Sequence, residues 1–196
     1  MKTYDFPLLI ASNNAHKIRE ITQILGDRFT AIYCPRDLGI DLDPVEDGET
    51  FAENAYIKCF AFHQAKPDFA VLSDDSGLMV DALGGAPGVM SARYAGEHGD
   101  DGANNAKLLR ELAGAQDRSA RFVSSICLLF PDLTCVYGDG KVEGSILLEA
   151  QGNGGFGYDP LFFCNDLGES FGTASPEAKN SVSHRANALA DLLTKI

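Results

Sequence analysis

The sequence predicts an α/β fold built on a long mixed β-sheet with flanking helices, and three observations carry that prediction. The first is a recurring strand and helix order in the N-terminal half: the apolar run Leu8-Leu9-Ile10-Ala11 leads into an amphipathic stretch. The helical stripe Phe51, Ala55, Cys59 and Phe62 then leads into a second apolar run, Phe69 to Leu72. The second is a pair of long strand-like segments, Ala120 to Phe130 and Leu133 to Leu148, joined around Pro131-Asp132. Antiparallel pairing beside strand and helix units makes the sheet mixed. The third is composition, 45% hydrophobic and 22% charged over 196 residues, which supports one sizeable core. A single domain over residues 1–196 follows, and the break at Gly114 is where a second lobe, about 115–165, would begin.

The elements follow in chain order. After Leu8 to Ala11, the polar segment Ser12-Asn13-Asn14-Ala15-His16-Lys17 opens a helix whose apolar residues Ile18, Ile21, Ile24 and Leu25 share one face. Ser12 and Asn13 are both N-cap candidates. A strand, a polar loop and a helix start gather free backbone N–H groups and a positive dipole end, with Lys17 one turn in, which suits a phosphate as well as a plain cap. The glycines and Gly-Lys-Ser/Thr ending of a Walker loop are absent. Phe29 to Cys34 reads as a second strand. Pro35 to Thr50 is a polar loop rich in acids; counted from Asp41, its sixth residue is Glu46 and its twelfth Ala52, where a calcium loop needs Gly and Glu. Phe51 to about Lys66 is a helix stopped by Pro67, with Asn54 and Lys58 on a second face.

Behind Phe69 to Leu72 comes Ser73-Asp74-Asp75-Ser76-Gly77, which places two acids where a strand reaches the sheet edge. Alternation points Asp74 and Asp75 to opposite faces, so one serves a site and the other a supporting partner. A polar turn is the plain alternative. Gly77 to Asp81 reads as a further short strand, Gly84-Gly85-Ala86-Pro87-Gly88 as a tight turn, and Gly88 to Tyr94 as a short helix carrying Arg93. A helix runs from Asp101 or Asn104 through Leu112. Gly138-Asp139-Gly140 is a turn or bulge inside the second long strand. The run Gln151 to Pro160 sets four glycines around Phe156 and Tyr158, letting backbone approach a ligand and an aromatic stack on a planar base, or else forming an ordinary strand-leading turn. Two helices close the chain, the second capped by Ser183. His184 and Arg185 fall in its first turn, where a cation opposes the helix dipole unless an anion or polar ligand compensates.

A net charge of -12 argues against a nucleic-acid polymer or an anionic membrane surface as partner, since either wants a basic face. A nucleotide remains compatible where a divalent metal and a few lysines offset the repulsion. Five cysteines without a CxxC pair suggest reduced thiols, neither a disulfide framework nor a zinc site. The apolar run Phe6 to Ala11 is too short for a signal or membrane segment, so a cytoplasmic protein is expected. Together, the loop at Lys17, the acids near Glu46, Lys58, the acid pair, the glycine and aromatic loop, and Lys179 with His184 and Arg185 suit a nucleoside triphosphate with Mg²⁺. With no serine or cysteine nucleophile evident, an activated water is the better attacker.

Taken in order, Ser12 to Lys17, Ser73-Asp74-Asp75-Ser76-Gly77-Leu78, Gly84 to Gly88 with Ser91-Ala92-Arg93-Tyr94, Gly155-Phe156-Gly157-Tyr158-Asp159-Pro160, and Lys179 through Ser183-His184-Arg185 resemble the inosine/xanthosine triphosphate pyrophosphatase family. The likeness spans about residues 8 to 190. It implies an elongated two-lobed fold around a long mixed sheet, with the active site in the cleft between the lobes. It also implies a Mg²⁺-dependent homodimer that cleaves ITP, dITP and XTP to the monophosphate and pyrophosphate, clearing deaminated purines from the nucleotide pool. Carried over by position, the resemblance puts Ser12, Asn13, Asn14, Ala15, His16 and Lys17 on the phosphates, makes Asp75 catalytic base and metal ligand, and gives Ser76 a substrate contact. Phe156, Gly157, Tyr158 and Asp159 would line the nucleoside pocket, Lys179 would touch substrate, and His184 with Arg185 would read the base. The second metal ligand is matched to Glu46, with Glu49 as alternative because this loop is one residue shorter than the common pattern. Ala150 stands where the family often has proline.

On that basis, in-line attack of water on the α-phosphorus is expected, with Asp75 orienting or deprotonating it and Lys17 and Lys58 stabilising developing charge. A site donor facing the 6-oxo group, from His184 or Arg185, would disfavour adenine by about 1 to 3 kcal/mol through an unpaired donor. GTP shares that group, so its rejection must use the 2-position. The rival readings are a pyrophosphatase acting on pyrimidine or modified triphosphates, and a nucleotide-binding module without chemistry.

Overall fold

The structure is a computed structural model describing residues 3–26 and 28–196. The strands are β1 (Leu8–Ile10), β2 (Ile32–Tyr33), β3 (Ala70–Val80), β4 (Ser119–Leu129), β5 (Cys135–Ile146), β6 (Phe162–Cys164) and β7 (Glu169–Ser170). The helices are α1 (Ala15–Leu25), α2 (Phe51–Ala65), α3 (Asp101–Glu111), α4 (Pro176–Val182) and α5 (His184–Lys195). The strands form one seven-stranded sheet in the order β2-β1-β3-β4-β5-β6-β7. β1 runs parallel to both neighbours, pairing Leu8 with Ile32 and with Ala70, because α1 and α2 provide the long crossovers that parallel pairing needs. β6 is antiparallel to β5 and β7. The expected mixed α/β sheet is therefore what forms.

The chain divides into two compact units. The first comprises Met1–Asp75, Ser124–Gly140 and Arg185–Ile196, and the second Ser76–Val123 and Lys141–His184. The expected lobe at about 115–165 is corrected: both units are assembled from separated segments, because β3, β4 and β5 each contribute residues to both.

In the first unit, strand alternation sorts the core onto two faces. Leu8, Ile10, Ala70, Leu72, Ile126 and Leu128 pack with Ile21 and Leu25 of α1 and Ala188, Leu189 and Leu192 of α5. Leu9, Val71, Cys127 and Leu129 pack with Ala55, Cys59 and Phe62 of α2. With both faces covered, β1 is fully buried at all its positions, which is why its sequence is an unbroken apolar run. In the second unit Leu108 and Leu112 pack with Leu78, Val80, Phe122, Phe162 and Phe171.

Several boundaries differ from expectation. β2 is only Ile32–Tyr33, since Phe29 leaves the ladder to stack on Tyr4 at 5.2 Å between ring centroids. β3 continues through the acid pair to Val80, so Asp74 and Asp75 lie inside a central strand rather than at its end, and Gly77 to Val80 is part of the same strand. Ser73 and Asp74 are tolerated there because they find partners: the Ser73 hydroxyl donates to the Ala55 carbonyl on α2, and Asp74 accepts from Ser124. Gly138-Asp139-Gly140 lies within the continuous strand β5 and makes no turn. Its glycine answers to α5: a Cβ on Gly138 would lie 2.3 Å from the Ala188 carbonyl oxygen and 2.6 Å from the Leu192 Cβ.

Gly138→Ala is therefore expected to destabilise the protein by about 1 to 3 kcal/mol in urea unfolding, because helix and strand must separate. Gly102→Ala, near the start of α3 with its nearest neighbour atom 3.5 Å from the added carbon, is expected to be neutral or to gain up to about 1 kcal/mol. Equal losses at both positions would contradict the close-approach reading.

Candidate functional site

In the first unit the site is generated by the alternation of β3. Residues 70, 72 and 74 face α1 and α5, whereas 71, 73 and 75 face α2. Asp74 consequently meets cations from both helices on its side. Its Oδ2 lies 2.8 Å from Lys17 Nζ and accepts from Arg185 Nη2 at 3.1 Å and Nε at 3.2 Å, while its Oδ1 accepts from Ser124. Burial alone would push this carboxyl up, but Arg185 and Lys17 outweigh it and hold the pKa well below the ordinary carboxylate range. Asp74 is thus a permanent anion that seats Lys17, whose Nζ also donates to the Asp74 carbonyl at 3.3 Å.

Asp75 has the opposite environment. Burial dominates and raises it; Lys17 and Lys58 pull it back, Glu46 and Asp74 push it further, and the result is about 6. Its Oδ2 is buried without a hydrogen-bond partner. A carboxylate poised near neutrality with an unsatisfied oxygen can take a proton or a cation. Ser76, half-buried, follows on the opposite face of the strand.

The acids in the loop before α2 are placed by the helix start. Thr50 and Glu53 form a capping box: the Glu53 carboxylate accepts from Thr50 N at 3.0 Å and also from Glu49 N at 2.8 Å, while Asn54 Oδ1 accepts from Gly48 N at 2.9 Å. This tether brings Glu46 to 2.9 Å from Lys58 Nζ and into the electrostatic field of Asp75. Glu49 is exposed, and its backbone N–H donates to Glu53.

At α1 the cap is Asn14, not Ser12 or Asn13. Its Oδ1 accepts from His16 N at 2.9 Å and Lys17 N at 3.2 Å, and Ser12 Oγ accepts from Asn14 N at 3.1 Å. Asparagine at this position reaches both amides while Ser12 only braces the turn. The expectation of free N–H groups is corrected for His16 and Lys17, whose amides are capped; Asn13, Ala15 and His16 are exposed.

In the second unit the glycine and aromatic loop is organised by Asp159. Its Oδ2 accepts from Phe156 N at 2.9 Å and pairs with Lys179 Nζ at 2.7 Å, and a Cβ on Gly155 would collide with it at 2.0 Å. Lys179 Nζ lies 4.8 Å from the Phe156 ring centroid and 5.6 Å from that of Phe171. Tyr158 OH donates to the Ser91 carbonyl at 2.8 Å. Tyr158 and Asp159 are buried and shape the loop, leaving Phe156 half-buried as its more accessible side chain. His184 stacks on Phe122 at 4.9 Å with 15° between planes.

Four residues that sequence reasoning missed take part. Asp101 Oδ2 accepts from Gly157 N at 2.7 Å and Asn105 Nδ2 donates to Gly157 O at 3.0 Å, so one face of α3 grips both polar atoms of the residue between Phe156 and Tyr158. Their i,i+4 spacing is the only sequence signal they carry. Glu20 and Ser124 support Arg185 and Asp74, and no local pattern marks either. The expected base-reading role of Arg185 meets a different arrangement: the side chain is 1% exposed and its guanidinium is held by Asp74 and Glu20. Those carboxylates also resolve the apparent mismatch of a cation at the start of α5.

Among the described residues no group of three or more His, Cys, Asp or Glu side chains is arranged to hold a metal ion by itself. Glu46 and Asp75 provide two hard oxygen donors, one with an orphaned atom, which fits a divalent ion that completes its shell with water and phosphate oxygens.

The sequence profile of the Ham1 family matches residues 8–195. The chain is 46% identical over 191 residues to a dITP/XTP pyrophosphatase of Clostridium perfringens, covering 94% of each protein. It is 42% identical over 191 residues to a dITP/XTP pyrophosphatase of Clostridium tetani, covering 96% of this chain and 95% of that one. Among solved structures, the Ham1 protein of Staphylococcus aureus superposes with a TM-score of 0.87 at 41% identity, covering 96% of this chain and 97% of that one. With the profile spanning both units and full-length relatives at this identity, the chain belongs to the Ham1 family.

Proposed function

We propose that this protein is a Mg²⁺-dependent nucleoside-triphosphate pyrophosphatase that hydrolyses deaminated purine triphosphates, dITP, ITP and XTP, to the monophosphate and pyrophosphate. The observation that carries the reading is Asp75, a buried carboxylate raised to about 6 with an unsatisfied oxygen, set near Lys17, Lys58 and Glu46. The relatives named dITP/XTP pyrophosphatase support the substrate class.

In the mechanism Asp75 accepts a proton from the attacking water, its buried Oδ2 carrying no hydrogen bond that would compete for it. Lys17, seated by the fixed anion Asp74, and Lys58, seated by Glu46, stabilise the charge that grows on the phosphate oxygens. Pyrophosphate leaves. Mg²⁺ held by Glu46 and Asp75 would neutralise phosphate charge and polarise the α-phosphate toward attack. In the second unit, Phe156 offers a face to the base, Lys179 contributes charge beside it, and His184 takes the donor role toward the 6-oxo group, since Arg185 is committed to Asp74 and Glu20. The reading includes a homodimer in the cytoplasm. No helix among the described residues is long and apolar enough to cross a membrane.

Mg²⁺-dependent hydrolysis across a panel of triphosphates, with pyrophosphate and phosphate assayed separately, tests the function. Release of pyrophosphate from dITP, ITP and XTP is expected; hydrolysis of UTP or dTTP with ITP untouched would overturn the substrate assignment, and ITP binding without turnover would make the protein a binding module. Asp75→Asn should reduce kcat by about three orders of magnitude or more.

The same substitution is expected to stabilise the metal-free protein. A folded pKa above the unfolded one means that ionising Asp75 costs stability as pH rises through about 4 to 6, so Asp75→Asn should gain about 2 to 3 kcal/mol near pH 8 and little near pH 4. Denaturant unfolding in the presence of chelator at the two pH values measures this, and a loss near pH 8 would contradict the desolvation argument. Glu46→Gln should raise the Mg²⁺ concentration for half-maximal activity by about ten-fold or more while Glu49→Gln leaves it unchanged; the reverse order would transfer the ligand to Glu49.

A further inference from the structure

Three cysteines of the first unit converge on the α2 face of the sheet, and the proposed reaction uses none of them. Cys59 of α2 directs its Sγ at backbone, 3.1 Å from the Cys127 carbonyl and 3.2 Å from that of Val71. It therefore acts as a structural donor. Cys127 of β4 and Cys135 of β5 instead face each other with 3.2 Å between sulfurs, about 1.2 Å beyond a disulfide bond length. Cys127 is buried and Cys135 half-buried, so reagents meet Cys135 first.

The surroundings divide the labour further. The two thiols share a hydrogen bond in which either sulfur can donate, and Cys127 foremost, with the Tyr137 hydroxyl, lowers Cys135 to about 7 against burial. Cys127 is pushed up by its bond to Cys135, by Cys59 and by burial. The more accessible sulfur is thus the readier of the two to ionise, with a second thiol in contact behind it.

We propose that Cys135 is a hydroperoxide-reactive thiol and Cys127 its resolving partner, so that the pair closes reversibly into an intrachain disulfide across β4 and β5. The Cys135 sulfur attacks a peroxide oxygen; the S–O bond forms, the O–O bond breaks, and the departing hydroxide takes a proton to leave as water. Cys127 then loses its proton and attacks the Cys135 sulfur; the S–S bond forms and the S–O bond breaks, releasing a second water. Two thiols lose two electrons and the peroxide gains them. A dithiol reductant reverses the bond by exchange.

The test uses the whole protein and substoichiometric to equimolar hydrogen peroxide, followed by alkylation and tryptic mass mapping. Cleavage after Arg121 and Lys141 places both cysteines in one peptide, Phe122 to Lys141. The expected result is that this peptide loses two hydrogen atoms and resists alkylation about ten-fold faster than Cys34 is oxidised, and that dithiothreitol restores two alkyl groups. In Cys127→Ser, dimedone should label Cys135. Cys34 oxidising first, a Cys59 to Cys127 crosslink, or dimedone on Cys127 in Cys135→Ser would each overturn the proposal. The mapping of the unmodified protein decides the matter even where a serine variant folds poorly.

Discussion

The first unit depends on one ion pair buried in its core, Asp74 of β3 with Arg185 of α5. Both side chains are 1% exposed, and neither charge would be stable there alone. Arg185 bridges to Glu20 on α1, and Asp74 gathers Lys17 from the same helix and Ser124 from β4. Two helices and two strands are thus registered by a single charged cluster, which fixes Lys17 in place. A hydrophobic replacement of similar volume could fill the space, but it would leave Lys17 without its seat. The cluster is best understood as a device for positioning rather than for stability.

The two adjacent aspartates show how strand geometry assigns chemistry. Separated by one peptide bond, they face opposite sides of β3, and their pKa values move in opposite directions because one finds compensating cations and the other finds desolvation with only partial compensation. One carboxylate becomes a fixed charge and the other a titrating one. No change of residue type was needed, only alternation and the helices stacked on each side.

Much of this was legible beforehand. The apolar stripe of α2, the unbroken burial of β1, the mixed sheet and the placement of Asp74 and Asp75 on opposite faces of a strand all follow from periodicity, and the structure has them where periodicity puts them. The length of β3 was not, because the polar run Ser-Asp-Asp-Ser-Gly reads as a strand end, and only the fold brings α2, α5 and β4 to satisfy Ser73 and Asp74. Arg185 read as a ligand-facing cation for the same reason: its partners Asp74 and Glu20 are distant in sequence and only the fold brings them together. The different surroundings of Glu46 and Glu49 were not legible by composition: Glu46 pairs with Lys58 and Glu49 stays exposed beside the capping box of α2. The grip of Asp101 and Asn105 on Gly157 was invisible, since both bond to backbone and nothing in the side chain at Gly157 advertises it.

That grip bears on how such a protein could change its preferences over evolutionary time. With the N–H and C=O of Gly157 both held by one helix, and Tyr158 and Asp159 anchored to Ser91 and Lys179, the loop is held by several contacts besides that of the Phe156 ring with Lys179. Exchanging Phe156 for another side chain therefore alters what the loop displays without altering where it runs. The course of the loop and the side chain it displays are thus governed by different residues, so a single substitution at Phe156 is a change of surface on a path held from elsewhere.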